Sequence, residues 1–302
     1  MMNIYQMYNK PAEQANVLII PACGFASVPV SAGLIHLENN FKGVLRTVEC
    51  YTAIDFPTSI LPGRDNCVVH YGTWESLVHE LQNLKQFHET KSQVYPGFKP
   101  VPQSLKRSFF HRNHGRFWFP YPGPDESIVA IDQAYRSKTG TPTYFFQSYV
   151  TPPLLIHFFV VPVFFIYYYL CSFKCFRKLL WKHPKFFTLG YFSHKGPSEQ
   201  MRNNTKYSFT LYGSGADNNN VGKSLTAKVS GNDPGYRTTA IAAICAALTI
   251  LKERSKMPIG GVINSGTAFQ NTRIVDRLNN SGMKIEIVDD SGNETKVEWI
   301  EK

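Results

Sequence analysis

The strongest constraint on how this chain folds is a long uncharged stretch in its middle. No charged residue occurs between Thr139 and Phe173, and the centre, Leu154–Leu170, reads LLIHFFVVPVFFIYYYL. A helix of that length would be about 25 Å long, near the lower limit for crossing the roughly 30 Å hydrocarbon core of a bilayer. Pro162 would kink such a helix near its middle. The stretch therefore predicts a segment that either contacts lipid or is fully buried in protein.

We predict a membrane or lipid-surface segment here, because the run is longer and richer in aromatic residues than most core helices. A single crossing, a kinked hairpin and a helix lying in the interface all remain open. So does the alternative of a buried core element. The residues expected to contact lipid are Leu154, Phe158, Phe159, Pro162, Phe164, Phe165, Tyr168 and Leu170.

Basic residues follow the apolar run directly. The stretch Phe173–Phe187 mixes lysine and arginine with aromatic residues and leucine, which is the composition of a helix in the membrane interface. Cations there would attract anionic headgroups, and a positive flank favours the cytoplasmic face. This basic flank consists of Lys174, Arg177, Lys178, Lys182 and Lys185.

The net charge of +10 is concentrated in two windows, Thr90–Pro124 and Gln133–Ser198, neither of which contains an acidic residue. Such segments favour a polyanionic partner, either nucleic acid or anionic lipid. In Lys106–Arg116 basic and aromatic residues alternate, a pattern that can also bind single-stranded nucleic acid. Because the apolar run lies in the same chain, we prefer a lipid contact or a loop that covers a cleft, and expect no nucleic-acid partner.

Hydrophobic periodicity predicts an α+β fold, a mixed sheet with helices on one face. An amphipathic helix begins near Trp74, and Thr239–Lys252 forms a second helix. Two antiparallel strands are predicted at Tyr207–Tyr212 and Leu225–Ser230. The proline-containing stretch Tyr95–Pro124 is predicted to be a loop.

Motifs for metal and nucleotide binding are weak. The six cysteines form no C-x-x-C pair, so reduced thiols and no metal site are predicted. The loop Gly213–Ser224 ends in Gly-Lys-Ser, as a P-loop does, but its glycine spacing is wrong and a strand follows it. No G-x-G-x-x-G motif follows a predicted strand.

Five segments, in order along the chain, together resemble the saccharopine dehydrogenase-like oxidoreductases. The first contains CGFASVP, similar to the GFDSIP turn of that family, and the third contains GYFSHKGP, similar to its GYFSxxGPT. The segments are Ile19–Pro29, Gly72–Ser76, Leu189–Pro197, Gly235–Thr239 and, with GGV, TAF and DRL, Gly260–Leu278.

The resemblance implies hydride exchange with NAD or NADP, and association with lipid droplets or membranes. It covers the C-terminal part of the family pattern, so we expect a remnant of a Rossmann edge at the N-terminus without the glycine-rich fingerprint. A fragment, an incomplete gene model and a protein that has lost its cofactor site are the alternatives. The candidate cofactor contacts are Gly24, Phe25 and Ser27.

Two departures from the pattern weaken the catalytic interpretation. Ala26 and Ser31 stand where the family has acidic residues, which removes any general base from that turn. No catalytic residue is assigned. An oxidoreductase at a membrane or lipid-droplet surface and a non-catalytic lipid-surface module both remain open.

The predicted organisation has four parts. Residues 1–37 are the remnant of a dinucleotide-binding domain, and residues 38–150 are the first part of an α+β substrate-type domain. Residues 151–187 are the apolar membrane-associated segment with its basic flank, and residues 188–302 complete the α+β domain.

Overall fold

The structure is a computed structural model that describes residues 2–25, 27–57, 67–94, 101, 107–113, 115–121, 124–151 and 166–288. It divides into two compact units. Unit 1 comprises Met1–Ile54, Val94–Thr151 and Tyr207–Lys302, and unit 2 comprises Asp55–Gln93 and Pro152–Lys206. Of the predicted lipid-contacting residues, Tyr168 and Leu170 are described; Leu154, Phe158, Phe159, Pro162, Phe164 and Phe165 lie outside the described residues.

The longest strands lie in the centre of the main sheet, and the others have two to six residues. They are β1 (Leu18–Ile19), β2 (Val44–Asp55), β3 (Val69–His70), β4 (His111–Asn113), β5 (Arg116–Pro120), β6 (Phe145–Val150), β7 (Phe192–Ser193), β8 (Lys206–Ala216), β9 (Gly222–Asn232), β10 (Gly261–Val262) and β11 (Lys284–Val288).

The helices range from single turns to long amphipathic elements. They are α1 (Met2–Gln14), α2 (Val28–Phe41), α3 (Tyr71–Val94), α4 (Pro124–Ser137), α5 (Lys174–Lys182), α6 (Pro184–Phe187), α7 (Glu199–Asn204), α8 (Thr239–Glu253), α9 (Ser265–Phe269) and α10 (Ile274–Asn280). A π-helical turn, Pro234–Thr238, leads into α8. Gly282, with φ of 97°, follows α10 in the left-handed conformation that commonly ends a helix.

Unit 1 is built on a mixed sheet with the strand order β11-β9-β8-β2-β6-β5-β4. Strands β2 and β6 run parallel, with Tyr51 opposite Tyr149, while β5 pairs antiparallel with β6 and β11 with β9. Long strands such as β2 are rich in β-branched and aromatic residues, which suit a pleated sheet. The predicted mixed sheet with helices is confirmed.

The main core of unit 1 lies between the sheet and its helices. It buries Leu37 of α2, Val48 and Cys50 of β2, Phe209 of β8 and Ala246 of α8. Because side chains alternate across a strand, Tyr51 points to the opposite face of the sheet from Cys50. On that second face a smaller cluster buries Tyr51, Ala53, Trp118 and Tyr149.

Unit 2 has its own core. Trp74, Val78 and Leu81 of α3 pack with Cys171 and with Leu180 of α5. Trp74 Nε1 donates a hydrogen bond of 3.0 Å to the carbonyl oxygen of Leu180. The predicted helix starting near Trp74 is present, and its apolar face is the one that is buried.

Two sequence predictions concern the stretch Tyr95–Pro124 and the N-terminal strand. The loop predicted at Tyr95–Pro124 is wrong in part, because β4 and β5 lie within it and pair with each other, Arg112 opposite Phe117. These short strands carry charged and aromatic residues rather than an alternating apolar pattern; β5 pairs with β6, and β4 pairs with β5. The N-terminal strand β1 pairs in parallel with β10; its origin as a Rossmann edge stays a prediction.

Among the described helices, one stretch, Pro234–Lys256, is long and apolar enough to span a bilayer. Its inner face, with Ala242, Cys245 and Ala246, is buried in the core of unit 1. Ile244 and Leu251 on its other side are exposed. The packing is that of a core helix with one exposed apolar face.

Candidate functional site

Between residues 166 and 189, unit 2 exposes an unusual number of large apolar side chains. We call this range the basic aromatic segment. Phe186 is 76% exposed and Tyr169 66% exposed. Exposed apolar side chains of this size are uncommon in such density on a soluble surface and indicate a site of interaction. The others are Ile166, Tyr168, Phe173, Leu179 and Leu189.

Helix α5 shows how the sequence produces this exposure. Leu180 is fully buried against the core of unit 2, while its neighbour Leu179 is 44% exposed. The core therefore fixes one side of α5, and the lysines and Leu179 lie on the accessible side. Within the predicted basic flank, Lys174, Lys178, Lys182 and Lys185 are exposed. Arg177 instead donates hydrogen bonds to the carbonyl oxygens of Cys171 (2.6 Å) and Ser172 (3.2 Å), closing the turn before α5.

The segment has an excess of basic over acidic residues along the chain. Residues 166–195 contain six basic side chains and no aspartate or glutamate. A local excess of lysine beside exposed aromatic rings provides both electrostatic attraction to an anionic surface and apolar groups to insert into it.

Unit 1 holds a second candidate site, a polar and aromatic cluster on the sheet face that does not contact the main core. Arg107 donates two hydrogen bonds to the carboxylate of Glu49, from Nε (2.9 Å) and Nη2 (2.7 Å). The Tyr51 hydroxyl lies 3.0 Å from Nε2 of His111, and the rings of Tyr51 and Tyr149 stack with centroids 4.9 Å apart. We call these five residues the tyrosine cluster.

The electrostatics of the tyrosine cluster favour neutral donors. Burial, and then the negative charge of Glu49, raise the pKa of both phenols, so Tyr51 and Tyr149 keep their protons at neutral pH. Burial and the nearby Arg107 cation lower the pKa of His111. Because Glu49 neutralises Arg107, the cluster offers phenol and imidazole groups that can hydrogen-bond a polar ligand or carry a proton, rather than a free anion site.

No sequence motif marks the tyrosine cluster, and the sequence alone did not predict it. One signal was available: Glu49 is an acidic residue in the middle of strand β2, between Val48 and Cys50, and it is only 4% exposed. A buried carboxylate needs a partner, so a cation was to be expected nearby in space.

The three residues predicted to contact a nucleotide lie at the start of α2. Ser27 is 2% exposed, and its hydroxyl lies 2.8 Å from that of Ser265. The Phe25 ring packs edge-on against Tyr207, with centroids 4.9 Å apart. A Cβ added at Gly24 would approach Thr239 to 3.2 Å. These contacts fit core packing and not a phosphate cradle, and a role in nucleotide binding stays a prediction.

Metal binding receives no support in the described part of the chain, where no group of three His, Cys, Asp or Glu side chains is placed to hold an ion. All six cysteines are free thiols. Cys171 is buried in unit 2 while Cys175 on α5 is exposed.

Comparison with known proteins places the chain in a family. It is 30% identical over 305 residues to a human saccharopine dehydrogenase-like oxidoreductase, an alignment covering 94% of this chain and 68% of the human protein. No family profile matches the sequence. The chain has a mixed α/β fold, and the alignment places it among proteins named saccharopine dehydrogenase-like oxidoreductases. The chain belongs to the saccharopine dehydrogenase-like oxidoreductase family, as its five motifs predicted.

More distant relatives carry names that differ in location. A Caenorhabditis elegans relative, 23% identical over 93% of this chain and 70% of its own length, is named lipid droplet localized protein. An Arabidopsis thaliana relative, 25% identical over 93% of this chain and 68% of its own length, is named a probable mitochondrial saccharopine dehydrogenase-like oxidoreductase. A solved saccharopine dehydrogenase (L-Glu forming) from Saccharomyces cerevisiae, matched over 94% of this chain and 77% of its own, is 11% identical with a TM-score of 0.41, too distant to establish a common fold.

Proposed function

We propose that this chain is a lipid-surface member of its family, which binds the cytoplasmic face of a membrane or lipid droplet through the basic aromatic segment of unit 2. The observation that carries the proposal is the exposure of Phe186, Leu179 and Tyr169 among lysines with no acidic residue between them. The lipid-droplet name of the worm relative supports the choice of surface.

The physical basis is additive. Each lysine near an anionic surface contributes about 1 kcal/mol of attraction. Each large apolar side chain that leaves water for the acyl region adds about 1.5–3 kcal/mol when fully buried. A segment that offers several of both is therefore sufficient for reversible binding of the whole chain, whatever the contribution of residues 152–165.

Flotation of the full chain with vesicles tests this proposal. Phosphatidylcholine vesicles with phosphatidylserine should float the protein, and high salt should weaken the binding. The double variant Phe186→Ser/Leu179→Ser should lose most of the binding. The matched control is Ile244→Ser/Leu251→Ser on α8, which removes exposed apolar groups from unit 1 and should bind as the unmodified chain does. Unchanged flotation of the Phe186→Ser/Leu179→Ser variant, or loss of flotation in the control, would overturn the proposal.

We further propose that this chain holds NAD or NADP weakly or not at all, although its family name implies a nicotinamide cofactor. The support is the burial of Ser27, the packing of the partly buried Phe25 ring against Tyr207, and a sequence in which no G-x-G-x-x-G motif follows a predicted strand. We therefore assign no reaction step to a bound nucleotide. The tyrosine cluster is the site proposed for a polar substrate or ligand.

Nucleotide fluorescence separates an oxidoreductase from a non-catalytic lipid-surface module. Titration of the purified chain with NADPH and NADH should show no saturable enhancement at micromolar protein. Tight, stoichiometric binding would contradict the proposal and restore the oxidoreductase interpretation. Ser27→Ala should leave the titration unchanged, because its hydroxyl is engaged by Ser265.

A further inference from the structure

Unit 2 contains a groove of about 460 Å³ next to the exposed aromatic residues. Lys182, His183 and Lys185 line it from the end of α5 and from α6, and Ser193 and His194 line it from β7 and the residue after it. Pro184 and Phe186 complete the lining. The groove thus joins two ammonium groups, two imidazoles and a hydroxyl in one concave surface.

The groups of this groove are complementary to one kind of ligand. No lining residue is acidic; the lysine ammonium groups are donors without acceptor capacity, and an imidazole can donate through its N–H. A phosphomonoester carries between one and two negative charges at neutral pH and three acceptor oxygens, which makes it the strongest match for such a set. The acidic residue Glu75 of α3 is not part of the lining, and its carboxylate hydrogen-bonds to Tyr71.

Several of these residues are held in place by contacts of their own. The ring of His194 stacks on Tyr71, with centroids 4.2 Å apart and an angle of 29° between the planes. The Ser193 hydroxyl donates to Cys67 Sγ (3.1 Å) and accepts from the Gly196 amide (3.1 Å). The His183 amide donates to the carbonyl of Leu179 at 3.0 Å. Because these contacts hold His194, Ser193 and the backbone at His183, those groups lose less conformational entropy on binding than mobile side chains do.

We propose that this groove binds the phosphomonoester headgroup of an anionic lipid, a proposal that rests on the lipid-surface function above. Phe186 and Leu189, both strongly exposed beside the groove, would enter the acyl region while Lys182 and His194 contact the phosphate. A lipid rather than a soluble phosphate is the chosen ligand because these apolar side chains adjoin the charged groups.

The test compares vesicles of equal surface charge. Full-length chain is mixed with phosphatidylcholine vesicles containing either phosphatidic acid or phosphatidylserine, adjusted to the same zeta potential. We expect at least tenfold tighter binding to the phosphatidic acid vesicles. Lys182→Gln/His194→Gln should abolish this preference, whereas Lys174→Gln/Lys178→Gln should weaken binding to both vesicle types in the same proportion and keep the preference.

The outcomes separate the two proposals. Equal binding to both charged vesicles overturns the headgroup site and leaves the lipid-surface function standing. Absence of binding to any vesicle overturns the lipid-surface function itself. Inorganic phosphate, compared with chloride at matched ionic strength, forms the third arm: saturable phosphate binding without any vesicle preference would make the ligand a soluble phosphate and overturn the lipid assignment. Thermal unfolding of each variant confirms that it is folded.

Discussion

The pairing of Glu49 with Arg107 shows how two residues 58 positions apart decide the character of one sheet face. The sequence pattern predicts that Arg107 belongs to a basic loop that contacts lipid or covers a cleft. The structure instead turns its guanidinium inward to neutralise a buried carboxylate. Charge in a sequence window therefore did not predict surface charge here, because the partner lay on a distant strand.

Removing one member of this pair should be costly. Glu49→Gln leaves Arg107 largely buried without a counterion, and we expect a loss of about 3 kcal/mol in the free energy of unfolding. Urea unfolding measures it. The double variant Glu49→Gln/Arg107→Met should recover most of the loss. Asp276→Asn, which breaks an exposed pair with Arg273, should leave the unfolding midpoint unchanged; an equal effect of both single variants would contradict the prediction.

Asp132 of α4 makes a pH-dependent contribution to stability. Burial raises its pKa from an ordinary value near 3.8 to about 7, although a hydrogen bond from the Thr267 amide (3.0 Å) opposes the shift. The folded chain thus retains a proton that the unfolded chain releases. The resulting stability is fully present below about pH 4 and is lost as the pH rises through about 7.

Replacing this carboxyl by a neutral amide should remove that pH dependence. Between pH 4 and 8 the stability of Asp132→Asn relative to the unmodified chain should rise by on the order of 4 kcal/mol, since three units of pKa are removed. Urea unfolding at each pH provides the comparison. Asp125, whose pKa burial also raises to about 7, keeps its own contribution in both proteins. A constant difference between the two chains across this range would show the prediction to be wrong.

At the scale of elements, periodicity predicted the structure well where one face is buried. Helix α8 and the strands β8 and β9 lie where the sequence placed them. Strands β4 and β5 were missed because they are short and because their residues, HRN and RFWFP, have no apolar alternation with a period of two. Neither the tyrosine cluster nor the groove at Lys182 has a motif, since each is assembled from separate elements.

Adjacent leucines on α5 should separate folding from lipid binding. Leu180→Ala opens a cavity in the core of unit 2 and should cost about 2–5 kcal/mol. Leu179→Ala, at an exposed position, should change stability by less than about 0.5 kcal/mol but weaken vesicle binding several-fold. Thermal unfolding and flotation of both variants measure the two effects. The reverse assignment would show that the helix is rotated relative to this structure.

At the scale of the whole molecule, the two units have separate hydrophobic cores, one behind the mixed sheet and one around Trp74. The four-part division predicted from the sequence follows the chain, whereas both units are assembled from segments that are distant along it. The sequence contains no signal that segments distant along the chain form one unit, because the contacts that define each unit are long-range.

We expect calorimetry of the full chain to show two unfolding transitions, one for each core. Leu180→Ala should lower one transition and Glu49→Gln the other. Because a ligand stabilises the unit that binds it, phosphatidic acid vesicles should raise only the transition that Leu180→Ala lowers. Phosphatidylcholine vesicles, which lack net charge, serve as the control. A single transition lowered by both variants, or a vesicle effect on the transition sensitive to Glu49, would mean that lipid binding and the tyrosine cluster are not properties of separate units.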